Sequence, residues 1–175
     1  MRTWDADTLA RFLDAERGTR YHVAFLFLAT TGCRRGEALG LRWNDVDLDA
    51  DTLAALRSWR TRQAEERLLL GPAYDDRELV FCHPDGRPYH PDRFSREFDR
   101  RIARHGVPRI RLHDLRHTWA TLALQAGVDV KIVSERLGHA SATITWDIYQ
   151  HVTPAMQSDA AERVASLIFR PKASS

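Results

Sequence analysis

The stretch from Tyr21 to Thr31 most limits how this chain can fold, because Val23, Phe25, Leu26, Phe27 and Leu28 leave almost no polar side on a helical wheel. A helix that is apolar all round belongs inside, wrapped by helices that carry a single apolar stripe. Gly32 follows at once and can take the left-handed conformation that ends a helix. The neighbouring segments supply the stripes. Asp5 or Asp7 can cap a first helix with Leu9, Phe12 and Leu13 on one face, ending near Gly18. A long amphipathic helix runs from Asp51 to about Leu70, with Leu53, Leu56, Trp59 and Gln63 at helical spacing, and Gly71-Pro72 breaks it. Pro91 and Gly106 bracket another, carrying Phe94, Phe98 and Ile102.

The remaining segments are short. A helix is expected around Gly36 to Leu41, followed by the turn-prone Asn44-Asp45-Val46-Asp47. Leu79-Val80-Phe81 reads as the one strand, closed by the turn Pro84-Asp85-Gly86. The last third holds three short helices: about Asp114 to Ala126 ending at Gly127, one capped by Asp129 ending at Gly138, and one capped by Ser141 leading to Tyr149. Thr153-Pro154 starts a terminal helix with Val164, Leu167 and Ile168 on one face. No repeat or linker interrupts the chain. The fold class is mainly α with a reduced sheet, in one domain over 1–170 with a disordered tail at 171–175.

The longest apolar run, Val23 to Ala29, is far too short to span a bilayer, and the Met1-Arg2-Thr3-Trp4-Asp5 start has no signal-peptide core. A cytoplasmic protein without a membrane partner is expected. Cys33 and Cys82 have neither metal nor disulfide-framework spacing and read as reduced, partly buried thiols. The net charge of +2 does not announce nucleic acid, yet Lys131 and Lys172 are the only lysines. The other cations are arginines, whose planar fork suits phosphate.

Four local motifs stand out: Thr-Gly-Cys-Arg-Arg-Gly-Glu at 31–37, His-Asp-Leu-Arg-His at 113–117, Leu-Gly-His at 137–139, and Tyr149 ten residues after His139. Each alone is ordinary, since an arginine after a glycine-capped helix is usually a solvated first-turn residue and a lone histidine is usually structural. His113 and His117 have the i, i+4 spacing of a helical metal pair, but Asp114 stands where a metalloprotease carries Glu, and no third ligand is evident. No metal and no cofactor are expected.

In this order and spacing the motifs resemble the tyrosine recombinases, the phage integrase family, over Thr3 to about Phe169. Glu37, Leu41-Arg42-Trp43 with Asp45 and Asp47, Asp114-Leu115 and His151 are similar to that family as well. The resemblance implies a DNA breaking-and-rejoining catalytic domain acting in site-specific recombination or integration. Arg34 and Arg116 would clamp the scissile phosphate, where a guanidinium can hold two oxygens. His113, three residues before Arg116 and on the same helix face, would act as general base towards Tyr149 or as an acid in the reverse step. His139 would hydrogen-bond a non-bridging oxygen, and Tyr149 would attack phosphorus to give a 3′-phosphotyrosyl link that is resealed without ATP. Glu37, Asp114 and His117 are supporting residues: Glu37 orients Arg34, Asp114 buttresses the helix start, and His117 packs inside the site. Arg35 and Arg111 join Arg34 and Arg116 as DNA-contacting residues. Double-stranded DNA is the implied partner, with self-association through the C-terminal helix.

The chain departs from the family twice. Relatives carry a three-stranded sheet after the Leu-x-Trp-x-Asp-Val-Asp segment, whose hairpin supplies a lysine to protonate the leaving 5′-oxygen. Here Asp47-Leu48-Asp49-Ala50 passes directly into Asp51-Thr52-Leu53, so an internal deletion near 49–52 is expected, and neither Lys131 nor Lys172 fits the vacant role. Relatives also carry an N-terminal core-binding domain that closes a clamp on DNA, and the resemblance here begins at the catalytic domain. Two readings follow: an active strand transferase, or an impaired integrase remnant that only binds DNA or partner recombinases.

Overall fold

The computed structural model describes residues 2–46 and 52–138. Its elements are α1 (Ala6–Ala15), α2 (His22–Thr31), α3 (Arg35–Gly40), a 3-10 turn (Trp43–Asp45), α4 (Thr52–Leu70), a second 3-10 turn (Gly71–Ala73), α5 (Pro91–His105), α6 (Asp114–Gln125) and α7 (Val130–Arg136). The chain divides into two compact units, 1–119 and 120–175. The expected helices after Ser141 and Thr153-Pro154, the junction at 49–51 and the tail at 171–175 lie outside the described residues.

The caps behave as their chemistry dictates. The Asp5 carboxylate accepts from the Thr8 amide at 2.7 Å and so satisfies an orphan donor of the first turn of α1. Pro91 occupies the first turn of α5, and Asp129 caps α7 through the Lys131 amide at 2.7 Å. Gly32 ends α2 at φ 66°.

In the first unit α2 packs against α1, α3 and α4, and α5 against α1 and α3. Their shared interior is aromatic. Phe12, Phe25 and Phe98 are each fully buried, with ring centroids 5.3–5.6 Å apart, and Trp4 lies 5.1 Å from Phe12. Burial of each such ring contributes roughly 1.5–3 kcal/mol. The all-apolar α2 is central but not evenly buried: Ala24, Phe25, Leu28 and Ala29 are buried, whereas Val23, Leu26 and Phe27 are half-buried. Both cysteines are free thiols, Cys33 half-buried and Cys82 buried.

Leu79-Val80-Phe81 does not form the expected strand. Among the described residues there are only two isolated antiparallel bridges, Arg42 with Leu79 and Cys82 with Pro88. Backbone pairing among the described residues around the Arg42–Leu79 bridge is limited to the Trp43 amide donating to the Glu78 carbonyl at 3.0 Å and the Val80 amide donating to the Leu41 carbonyl at 2.9 Å, and side chains take further carbonyls. The Val80 carbonyl accepts from Trp59 Nε1 at 2.5 Å and Gln63 Nε2 at 3.0 Å, both from α4, and Gln63 Nε2 also reaches the Leu79 carbonyl at 3.2 Å. Side chains of a helix thus satisfy polar groups that a neighbouring strand would otherwise take. The turn at His83–Gly86 forms as its residues predict, with Gly86 at φ 83° and its amide donating to the His83 carbonyl at 2.9 Å.

The described part of the second unit holds the end of α6, a turn at Gly127 (φ 82°) and α7, with Ala120, Leu124, Val133 and Leu137 buried.

Candidate active site

The end of α2 is the anchor of the site. Gly32 is buried in the left-handed conformation, and a Cβ on it would lie 2.5 Å from Cε3 of Trp119. Only glycine fits both the dihedral and the space. Its carbonyl accepts from Arg116 Nη1 at 2.7 Å, which joins the start of α6 to the end of α2 although the residues lie 84 apart in sequence. Two residues past Gly32, Arg34 takes an extended conformation (ψ 149°) at the N-cap of α3. Glu37 binds Arg34 twice, accepting from its backbone amide at 2.7 Å and from its Nη1 at 2.8 Å. That double grip holds the Glu37 carboxyl below the usual glutamate range.

Arg116 is 4% exposed. Burial, and then the positive charge of Arg34, lower the affinity of its guanidinium for its proton. The bond to the Gly32 carbonyl therefore holds Arg116 within electrostatic reach of Arg34, two residues past Gly32, and the two charges repel. An anion between them would relieve that repulsion.

His113 differs in position from the expectation. It sits in the turn that precedes α6, since the helix starts at Asp114. Its ring meets that of His117 edge to face at 5.2 Å. Partial cover of the ring, and then Arg116, push the His113 pKa below its ordinary value, so the neutral imidazole prevails at neutral pH. That is the form a proton acceptor needs.

Asp114 is 4% exposed and buttresses the entry to α6. Its carboxylate accepts from the Arg111 amide at 2.9 Å, from Arg111 Nε at 3.2 Å and from Arg111 Nη2 at 2.9 Å. Burial raises the Asp114 pKa, but these bonds outweigh it and the net shift is downward. Arg111 is thereby paired with Asp114, although its side chain remains exposed. Arg35 is engaged too, through Nη1 with the Ser95 hydroxyl at 2.8 Å, the Pro91 carbonyl at 3.2 Å and Asp92 Oδ1 at 3.4 Å, so it ties α3 to α5. Sequence reasoning placed both with the DNA contacts; their guanidinium groups also do structural work.

Arg34, Arg35, Arg109, Arg111 and His113 line an open cleft of about 510 Å³. Arg109 was missed from sequence because it belongs to no motif. The structure therefore brings together Arg34, Arg35, Glu37, Arg111, His113, Asp114, Arg116 and His117, whereas His139 and Tyr149 lie outside the described residues.

An open cleft lined by several arginines and a neutral histidine has the chemistry that suits phosphate-like anions. Residues 2–156 match the phage integrase family, and the chain belongs to that family. The tyrosine recombinase XerC-like protein of Caldanaerobacter subterraneus is 28% identical, over 94% of this chain and 54% of its own length. That alignment runs over 211 positions, more than the 175 residues of the chain. Among solved structures, the XerA recombinase crystal structure is similar with a TM-score of 0.74 and 26% identity, covering 98% of this chain and 65% of that one. The XerH site-specific recombinase bound to difH substrate in a pre-cleavage complex is similar with a TM-score of 0.67 and 26% identity, over 85% of this chain and 50% of that one. The chain spans about half the length of the curated relatives it matches. The observed fold, mostly helical with almost no strand, agrees with the expected class. Among the described residues, no helix is long and apolar enough to cross a membrane.

Proposed function

We propose that this chain is the catalytic region of a site-specific recombinase that binds double-stranded DNA and cuts and rejoins its strands through Tyr149. The observation that carries this reading is the Arg116–Gly32 hydrogen bond, which holds a buried arginine at the carbonyl two residues before Arg34, itself a lining residue of the arginine-rich cleft that also carries His113 and Asp99. Arg34 and Arg116 hold the non-bridging oxygens of the scissile phosphate, with His139 as a further donor. His113 accepts the Tyr149 phenol proton as the phenolate oxygen bonds to phosphorus. The bond from phosphorus to the 5′-oxygen breaks, and the leaving oxygen takes a proton from water to become a 5′-hydroxyl. A 5′-hydroxyl of the recombining strand then attacks the 3′-phosphotyrosyl phosphorus and frees Tyr149. Glu37 orients Arg34, Asp114 braces the turn that presents His113, and His117 supports the His113 ring.

The domain is read as residues 1–170, shortened near 49–52. An alignment longer than the chain itself supports that reading, because the relative must carry residues this chain lacks. The shortening removes the hairpin lysine of the family. Cytoplasmic location and self-association through the segment after Thr153-Pro154 complete the proposal.

A nicked suicide duplex tests it. The expected result is a covalent protein–DNA adduct on a denaturing gel that forms without added metal and vanishes in Tyr149→Phe. A mobility shift with no adduct would instead favour the impaired remnant.

A further inference from the structure

The segment before α6 alternates in a way that no motif describes. Ile110, Leu112 and Asp114 are buried, while Arg109, Arg111 and His113 are exposed. Arg109 and Arg111 are thus both exposed, two residues apart, immediately before the turn that carries His113.

Their charges are not equivalent. Arg111 is paired with Asp114 at 2.9 Å, Arg34 with Glu37 at 2.8 Å, and Arg35 reaches Asp92 at 3.4 Å. Arg109 forms no ion pair among the described residues, although it lines the cleft beside Arg34 and His113. It also lines a second open cleft of about 430 Å³, together with Arg2 and Arg111. Two hydrogen bonds bring Arg2 there from the far end of the sequence. Trp4 Nε1 donates to the Pro108 carbonyl at 2.7 Å, and the Trp4 amide donates to Thr118 Oγ1 at 3.2 Å. With its indole buried against Phe12 and Phe98, Trp4 pins the N-terminal segment alongside Arg109. Asp114 is the one carboxylate lining this second cleft, and it already holds Arg111.

We infer that Arg2 and Arg109 form a second phosphate subsite, continuous with the Arg34–His113 cleft, that grips a DNA backbone phosphate other than the one to be cut. This rests on the DNA-binding reading above. Because the two clefts share Arg109 and Arg111, a single strand can pass from one to the other. The ligand class is the phosphodiester backbone rather than a base edge, so the subsite sets register and affinity without reading sequence.

The test is fluorescence anisotropy of a labelled duplex against the full chain, over a series of salt concentrations. Arg109→Gln is expected to weaken binding about 5-fold and to lower the slope of log affinity against log salt by about 1, equally for unrelated duplex sequences. Adding Arg2→Gln lowers the slope by about 1 more. Arg104→Gln, an exposed arginine lining neither cleft, leaves affinity and slope unchanged. Wild-type affinity and slope in Arg109→Gln, an equal loss in Arg104→Gln, or a loss confined to one DNA sequence would each overturn the subsite while leaving the DNA-binding reading intact. Failure of the unmodified chain to bind duplex at any salt would overturn both.

Discussion

Arg101 and Arg116 are both largely buried, and their surroundings could hardly differ more. Arg101, with a side chain 15% exposed, donates to Glu16 at 2.5 Å and to Glu97 at 3.0 Å, and lies over the Tyr21 ring at 4.3 Å. Glu16 is completely buried and also accepts from the Thr19 hydroxyl at 2.7 Å and pairs with His105 Nε2 at 2.7 Å. Near Arg116 the strongest charge effect is the repulsion of another arginine, with Glu37 opposing it more weakly. An arginine matched by buried carboxylates holds α1 to α5. An arginine anchored by a backbone carbonyl and shifted by the charge of a second arginine is instead the kind of perturbed cation that clusters at functional sites.

Substitutions at four positions probe that contrast. Removing the mismatched charge has the largest effect on chemistry: Arg116→Ala is expected to slow adduct formation on the suicide duplex by on the order of 100- to 1,000-fold, and Arg116→Lys does not restore it because an ammonium lacks the planar fork. A variant that cleaves at the wild-type rate would remove Arg116 from the clamp.

On the matched side, Glu16→Gln leaves Arg101 buried without its full counter-charge and is expected to cost about 3 kcal/mol in denaturant unfolding. The same residue predicts an acid limb. Burial raises the Glu16 pKa, but the bonds from Thr19, His105 and Arg101 outweigh it and the folded-state value is lowered. A lowered pKa contributes stability that is complete above the ordinary glutamate value of about 4.3 and is lost as pH falls below it towards the folded-state value. Melting temperature followed from pH 7 to pH 3 therefore drops less steeply in Glu16→Gln than in the parent; parallel curves would show that Glu16 does not drive the acid limb.

Gly32→Ala joins the two sides, because it disturbs packing and site together. A methyl group at φ 66°, aimed at the Trp119 ring, is expected to cost about 2 kcal/mol and to slow cleavage by displacing the carbonyl that holds Arg116. Unchanged stability would mean that the ring moves aside freely. The smallest effect belongs to Glu37→Gln, which loosens an exposed arginine and should reduce the adduct rate about 10-fold, read in single-turnover measurements.

Local chemistry made much of this molecule readable from its residues. Asp5, Pro91 and Asp129 start helices and Gly32, Gly106, Gly127 and Gly138 follow their ends, because capping acts through atoms only a few positions apart. Arg34, Glu37, His113, Asp114 and Arg116 were legible for the same reason, each lying within a short motif. The strand at Leu79–Phe81 was misread, since β-propensity says nothing of whether Trp59 and Gln63 will take the carbonyls first. The alternation from Arg109 to Asp114 stood in plain view in the sequence, but its meaning did not.

The sequence by itself determined the helices, their caps and the family to which the chain belongs. Only the tertiary structure decided which arginines are spoken for. Arg35 meets Asp92 and Ser95, Arg101 meets Glu16, and Arg116 reaches Gly32, all across 56 residues or more. Charge pairing falls off over a few ångströms of space and is blind to separation along the chain, so the fold alone could leave Arg109 beside the cleft with no ion pair among the described residues.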